Sequence, residues 1–308
     1  MRVLLRPIVN RFFILKNSTL LLRLRVLIVA SICFIGFNAC KNAHIREQKN
    51  LGQLFESHGI KNACFILRDH AHETINLYNR DRCLERFTPA STFKIFNSLV
   101  ALETGIAKDD GFVIRWDGVS RRAEWDKDMD MRQAFRVSNL PFYQEIARRV
   151  GRQNYQHYLD TVKYGNMKIG DSVDQFWVDN SLQISADEQL GFIKKLYFDE
   201  LPFLVRTQSI VKSMMLQEDS ANNRFYYKTG TGTTPAGKSL FWVVGYLEHV
   251  LPIKEDPKSM NKSGVRNYPY FFAMNFEVGK DDNSKNWSAL RIQLLHEILA
   301  DYGAFRDE

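Results

Sequence analysis

Two short apolar runs, residues 64–68 and 74–78, flank a polar turn, and this pattern predicts a pair of strands. Pro89 and Ala90 precede a run from Ser91 to Thr104 in which Phe93, Phe96, Leu99, Val100 and Glu103 fall at helical spacing, with Gly105 as the stop. That run is apolar over much of its surface, which predicts a central, buried helix. Residues 106–200 carry few strand signals and read as helices and loops. The clearest amphipathic helices there are 142–150 and 186–198. A helical stretch near Val211 follows. Strand patterns then cover 224–228, 240–247 and 268–275, and a helix at 288–302 closes the chain. Strands, one buried helix, a helical block, more strands and a last helix predict an α+β fold. In it an antiparallel sheet is flanked by helices, with a mainly helical subdomain inserted at about 106–200.

The chain has 308 residues, 45% of them hydrophobic, which is enough for one large core. Its net charge of +7 is concentrated at the start, where Arg2, Arg6, Arg11, Lys16, Arg23 and Arg25 occur without an acid before residue 41. The remainder carries only +1 and mixes its charges, so composition gives no support to nucleic-acid binding. The basic leader runs into an apolar segment, residues 26–37, too short for a bilayer span of about 20 residues. It reads as an export signal over residues 1–40, followed by a polar tether at 41–52 and a folded domain at 53–308. Two processing outcomes fit. Cys40 becomes a lipidated first residue that attaches the protein to a membrane, or ordinary cleavage near Ala39 releases it into the periplasm. Cys33 and Cys40 belong to the leader. Cys64 and Cys83 belong to the body, where a disulfide and two separate buried thiols both remain open.

Ser91 and Lys94 stand at i and i+3 in the predicted buried helix, close enough for the lysine amine to reach the serine hydroxyl. A free lysine, with a pKa of about 10.4, is protonated at neutral pH. Burial lowers that value, and the amine can then act as a base. By itself Ser-x-x-Lys is a weak pattern, and a capping serine beside a solvated lysine would normally be the better explanation. The ordered series that follows does not arise so easily by chance: Ser138-Asn139-Leu140, Tyr164-Gly165-Asn166, Trp177, and Lys228-Thr229-Gly230 at the end of a predicted strand.

With these residues in place the chain resembles the class D serine β-lactamases, the oxacillinase type, within the wider group of penicillin-recognising enzymes. The resemblance runs from about Gly52 to the C-terminus. It is carried by Pro89-Ala-Ser-Thr-Phe-Lys-Ile95, Leu102-Glu-Thr-Gly105, Ser138 with Pro141-Phe-Tyr-Gln-Glu145, and Tyr164-Gly-Asn166. Phe176-Trp177, Ile184-Ser-Ala186 with Glu188-Gln189, Lys228-Thr-Gly230 and Trp242-Val-Val-Gly245 complete it. The resemblance implies two-step hydrolysis of β-lactam small molecules through an acyl-enzyme on Ser91. It implies no metal and no diffusible cofactor, but a CO2-derived carbamate on Lys94 that receives the Trp177 indole N–H. It gives Ser138 the proton delivered to the lactam nitrogen, and the backbone N–H groups of Ser91 and Thr231 the oxyanion. Lys228, Thr229 and Gly230, together with Arg291, would bind the substrate carboxylate.

Two positions depart from the family pattern. Leu140 stands beside the modified lysine where valine is usual, which is expected to restrict water and slow deacylation. Thr231 replaces an aromatic residue found in many relatives. Leu140 also replaces the asparagine of the class A Ser-Asp-Asn element. Two non-hydrolysing or non-lactam rivals share the acylation chemistry, a penicillin-binding peptidase of the cell wall and an antibiotic sensor that stays acylated.

Several patterns point elsewhere and fail on context. Residues 232–239 fit the phosphate-loop pattern, but an apolar, strand-like segment follows where a helix is required, so a hairpin loop is expected. His70, His72 and Glu73 crowd a predicted turn without a further histidine-rich segment to complete a metal site. No serine sits in a G-x-S-x-G elbow. Trp116, Trp125, Trp242 and Trp287 read as packing residues.

Overall fold

The computed structural model describes residues 44–220, 222–252, 265–280 and 282–302; the leader and Cys40 lie outside them. Its centre is a seven-stranded sheet of β1 (His44–Glu47), β2 (Asn62–Asp69), β3 (Thr74–Tyr78), β6 (Leu216–Asp219), β7 (Asn223–Thr233), β8 (Ser239–Pro252) and β9 (Val265–Val278). The spatial order is β1-β3-β2-β9-β8-β7-β6. Every pairing is antiparallel except β1 with β3. A separate two-stranded ladder joins β4 (Val113–Ile114) to β5 (Met129–Asp130).

The strand side chains alternate between two cores, as a two-residue period requires. Ala63, Phe65 and Leu67 of β2, Phe241, Val243 and Leu247 of β8, and Phe272, Met274 and Phe276 of β9 face one cluster. The helices α1 (Asn50–Ser57) and α9 (Trp287–Asp301) contribute Leu51, Phe55, Leu294 and Leu295 to that cluster. Cys64, Ile66, Trp242, Val244, Tyr246, Phe271 and Ala273 face the other, larger cluster. Because both faces are covered, the central strands read as nearly unbroken apolar runs.

The larger core is completed by α2 (Arg80–Leu84), a 3-10 turn (Ala90–Phe93), α3 (Lys94–Glu103), α4 (Met131–Arg136), α5 (Leu140–Val150), α6 (Arg152–Val162), α7 (Ala186–Tyr197) and α8 (Val205–Met215). All residues of α3 from Lys94 to Leu102 are buried, as the sequence implied. The α+β architecture with helices on both sheet faces is the one expected.

Four expectations need correction. Residues 44–52 are not a free tether: His44–Glu47 add an edge strand, and Asn50 starts α1. The helix predicted from Ser91 begins as a 3-10 turn and becomes α-helical at Lys94, because Pro89 and a left-handed Ala90 (φ 49°) set a tighter first turn. The Lys228-Thr229-Gly230 segment is interior to β7, which continues to Thr233. The inserted helical block ends before α7, which packs on β2, β8 and β9.

Cys64 and Cys83 are both buried free thiols. Hydrogen bonding to Cys64 and burial raise the Cys83 thiol far above its ordinary value.

Candidate active site

The turn that carries Ser91 is fixed from several sides. The Ala90 amide donates to the Trp177 carbonyl at 3.0 Å, and the Thr92 amide donates to the Pro89 carbonyl at 3.1 Å. Thr92 Oγ1 also donates to Pro89, at 2.7 Å, and accepts from Gln189 Nε2 of α7 at 2.8 Å. The Phe93 ring stacks on Trp177 at 5.5 Å and on Phe96 at 5.4 Å. Phe176 and Tyr164 meet its edge at 5.1 and 5.8 Å. Aromatic pairs of this geometry each add about 0.5–1.5 kcal/mol beyond area burial. The turn is therefore rigid in the way a positioned nucleophile requires.

Residues i and i+3 eclipse in a 3-10 turn, which brings Ser91 and Lys94 together. Lys94 Nζ donates to Ser91 Oγ at 2.8 Å. Lys94 is completely buried, and desolvation lowers its amine to about 7. The amine lies 5.3 Å from the centre of the Tyr143 ring, whose own hydroxyl is paired with Ser98 at 2.9 Å.

A second hydroxyl–amine pair faces the first. Ser138 follows α4 in a left-handed conformation, φ 55°, which a non-glycine residue keeps only when its surroundings impose it. The imposing contacts are hydrogen bonds from the Ser138 amide to the Phe135 carbonyl (3.3 Å) and from the Asn139 amide to the Ala134 carbonyl (2.9 Å). Asn139 Oδ1 then caps α5 by accepting from the Phe142 amide at 3.0 Å. Lys228 Nζ donates to Ser138 Oγ and, at 3.1 Å, to the Thr229 carbonyl. Burial, and then the charges of Lys94 and Arg291, push the Lys228 amine well below its ordinary value.

Strand β7 crosses directly over the turn. A Cβ on Gly230 would stand 2.9 Å from the Pro89 carbonyl oxygen, so only glycine permits this approach. Thr231, next along, is exposed, and its Oγ1 accepts from Arg291 Nη1 at 3.1 Å. The same Nη1 donates to the Gly230 carbonyl at 2.8 Å. Arg291 reaches β7 from α9, is nearly buried, and is lowered to about 10 by desolvation.

Trp177 is fully buried, and its carbonyl accepts from Ala90 and from Thr88 Oγ1 (2.8 Å). Its indole Nε1 has no acceptor. A buried N–H left unpaired costs about 1–3 kcal/mol. Leu140 is half-buried in the first turn of α5 and packs on the same core. The Tyr164-Gly165-Asn166 element holds the chain that follows Trp177. Asn166 Nδ2 donates to Ser181 at 2.8 Å, and Asn166 Oδ1 accepts from the Gln183 amide at 3.0 Å.

Ser91–Lys94 and Ser138–Lys228 thus form two hydroxyl–amine pairs near enough for the Lys94 charge to act on Lys228, Gly230 of β7 lies against the Pro89–Thr92 turn, Arg291 holds Gly230 and Thr231, and Trp177 stacks on Phe93 of the same turn. Tyr143, Gln189 and Phe135, whose ring lies 5.5 Å from Lys228 Nζ, support the site without having been singled out as site residues. Gln189 and Tyr143 lie in segments that carry the family resemblance, and Gln189 is also a polar residue in a buried helical face; Phe135 had no signal beyond its apolar spacing.

Two of the other patterns lie in turns, whereas Trp116, expected to pack, is exposed and donates its indole N–H to the Val119 carbonyl at 3.0 Å. Residues 234–238 form the turn of the β7–β8 hairpin, and Ser239 opens a strand. His72 Nδ1 pairs with Asp69 Oδ2 at 2.6 Å in the β2–β3 turn. Among the described residues no group of three His, Cys, Asp or Glu side chains is placed to hold a metal ion.

Residues 54–252 match the family of penicillin-binding-protein transpeptidase domains. The chain is 39% identical over 229 residues to the probable β-lactamase YbxI of Bacillus subtilis, covering 72% of this chain and 85% of that protein. It is 35% identical over 275 residues to the β-lactamase OXA-48 of Klebsiella pneumoniae, covering 89% and 94%. Among solved structures, the class D β-lactamase FUS-1 (OXA-85) of Fusobacterium nucleatum subsp. polymorphum superimposes with a TM-score of 0.75 at 31% identity, over 85% of this chain and all of that one. A class D β-lactamase from Nostoc gives 0.72 at 36% identity, over 83% and 99%.

Proposed function

This chain belongs to the class D serine β-lactamases, and within that activity we propose that Ser91 is the nucleophile, that Lys94 works as a CO2 adduct, and that Ser138 and Lys228 deliver the leaving-group proton. The enzyme hydrolyses the amide of a β-lactam ring. The observation that carries the residue assignment is the 2.8 Å contact between Ser91 Oγ and a fully buried Lys94 amine, next to a turn packed on the unpaired indole of Trp177.

The residues present suit a carbamate on Lys94. CO2 adds only to a neutral amine, and burial lowers Lys94 to about 7. Trp177 Nε1 is a buried donor in want of an acceptor. When formed, the carbamate supplies a stronger base than an ammonium group can. Ser91 Oγ gives up its proton toward the Lys94 side chain as it bonds to the lactam carbonyl carbon. The amide N–H groups of Ser91 and Thr231 hold the oxyanion. The ring C–N bond breaks as the oxyanion collapses, and the nitrogen takes the Ser138 hydroxyl proton, which Lys228 replaces. Water then cleaves the Ser91 ester. Lys228, Thr229 and Arg291 hold the substrate carboxylate. Leu140 narrows the approach of that water, and Thr231 leaves the substrate side chain without an aromatic wall.

The leader supports export to the periplasm, in soluble form or anchored through a lipid on Cys40, and a role in β-lactam resistance. A nitrocefin time course with and without bicarbonate, with Ser91→Ala as control, tests the reading. Many turnovers that increase with bicarbonate and vanish in the control are expected. A single stoichiometric burst that stalls would instead leave a penicillin-binding sensor or peptidase.

A further inference from the structure

The loop that carries Trp177 is gripped from outside by α5. Asp174 lies three residues before Trp177, and its carboxylate accepts from Arg148 Nη1 at 2.5 Å and from Ser172 Oγ. Its backbone carbonyl accepts from Gln144 Nε2 at 3.2 Å. Gln144 and Arg148 are four residues apart, on one face of α5. Glu145 steadies Arg148 at 3.0 Å and also holds Arg149 at 2.8 Å. Donation from Ser172, and then from Arg148, keeps the Asp174 carboxyl below its ordinary range.

An isolated surface ion pair adds little to stability, and Arg148 is half exposed. What is particular here is the placement. The helix that opens with Leu140, directly after Ser138 and Asn139, also holds the segment that carries Trp177. Within that segment the Val178 amide donates to Gln175 at 2.8 Å and the Gln175 amide to Ser172 at 3.4 Å, so displacement of Asp174 passes to Trp177 through a short, hydrogen-bonded turn.

We propose that Gln144, Arg148 and Asp174 form a latch that positions Trp177 at the lysine site and thereby sets how firmly CO2 is retained on Lys94. This rests on the carbamate reading above. The three act through Trp177 and are positioning residues; none touches the substrate.

The test compares the parent with Asp174→Asn, Arg148→Ala and Arg148→Lys. Carbamate is titrated by 13C NMR with labelled bicarbonate, and nitrocefin turnover is measured over the same range. Asp174→Asn and Arg148→Ala are expected to raise the bicarbonate needed for half-occupancy by about two- to fivefold. At saturating bicarbonate their kcat should return to within about twofold of the parent, because chemistry itself is untouched. Arg148→Lys should fall between. An unchanged bicarbonate requirement, or a loss of kcat that saturating bicarbonate does not restore, overturns the latch. If Asp174→Asn does not fold, Gln144→Leu removes only the carbonyl tie and gives the same comparison. A parent without a carbamate signal at any bicarbonate concentration overturns the lysine reading itself, and the latch with it.

Discussion

At the scale of single residues the site is built on two buried amines without a carboxylate partner. Lys94 illustrates the consequence. Its amine, lowered from 10.5 to about 7 by desolvation, is protonated below that pH and cannot take up CO2. At limiting bicarbonate, turnover should therefore fall by about tenfold per pH unit as acidity increases below 7, and added bicarbonate should restore it, because the proton and CO2 compete for the same amine. pH–rate profiles at limiting and at saturating bicarbonate check this. Stability follows the opposite partner. Between about 7 and 10.5 the unfolded chain still holds the Lys94 proton while the folded chain does not, so unfolding free energy from Lys94 rises with pH across that window. Lys94→Met should remove that contribution, abolish turnover and raise stability near neutral pH by about 1–2 kcal/mol, because a buried amine is exchanged for an apolar side chain of similar length. Denaturant titrations at several pH values read the difference.

At the scale of elements, the decisive contact is that of β7 with the 3-10 turn. The first turn is 3-10 because Pro89, the left-handed Ala90 and the Thr92 hydroxyl all draw the chain inward, and β7 can lie across it only through Gly230. Gly230→Ala should push the strand away from the turn, lowering kcat/KM by about a hundredfold while costing about 1–3 kcal/mol of stability. Steady-state kinetics with thermal unfolding separates these effects. A larger fall in stability with little change in kcat would mean that β7 supports the fold and does not align the site. The pattern of the sequence marked the strand and the helix separately. It could not mark their crossing, because a close approach between backbones leaves only a glycine behind, and the chain has 17 of them.

At the scale of the molecule, the sheet separates the core that carries the proposed catalytic residues from a supporting core. Phe55 of α1 is fully buried on the supporting side and stacks on Tyr78 at 5.5 Å. Phe93 is equally buried but belongs to the site's turn. Both Phe55→Ala and Phe93→Ala should cost about 3–5 kcal/mol. Measured well below the unfolding midpoint, Phe55→Ala should keep most of its kcat, whereas Phe93→Ala should lose it, since only the latter frees the turn.

The order of elements, the buried central helix and the pairing of Ser91 with Lys94 were legible in the chain itself, because each rests on local periodicity or on a spacing of three residues. The family motifs added Ser138, Trp177, Lys228 and Arg291 as members of one site. Other features belonged to the tertiary structure alone. Residues 44–47 look polar and unattached in sequence, yet they pair as an edge strand, because backbone hydrogen bonds with β3 do not depend on side-chain type. The helix at 131–136 carries too few turns to give a strong period, and that at 152–162 buries only Tyr155 and Leu159, so packing on the larger core completes both. The depression of the Lys228 amine, the unpaired indole of Trp177 and the grip of Arg148 on Asp174 all depend on what surrounds a group in space. No residue type or spacing encodes that, because desolvation and hydrogen-bond satisfaction are properties of neighbours brought together from distant parts of the chain.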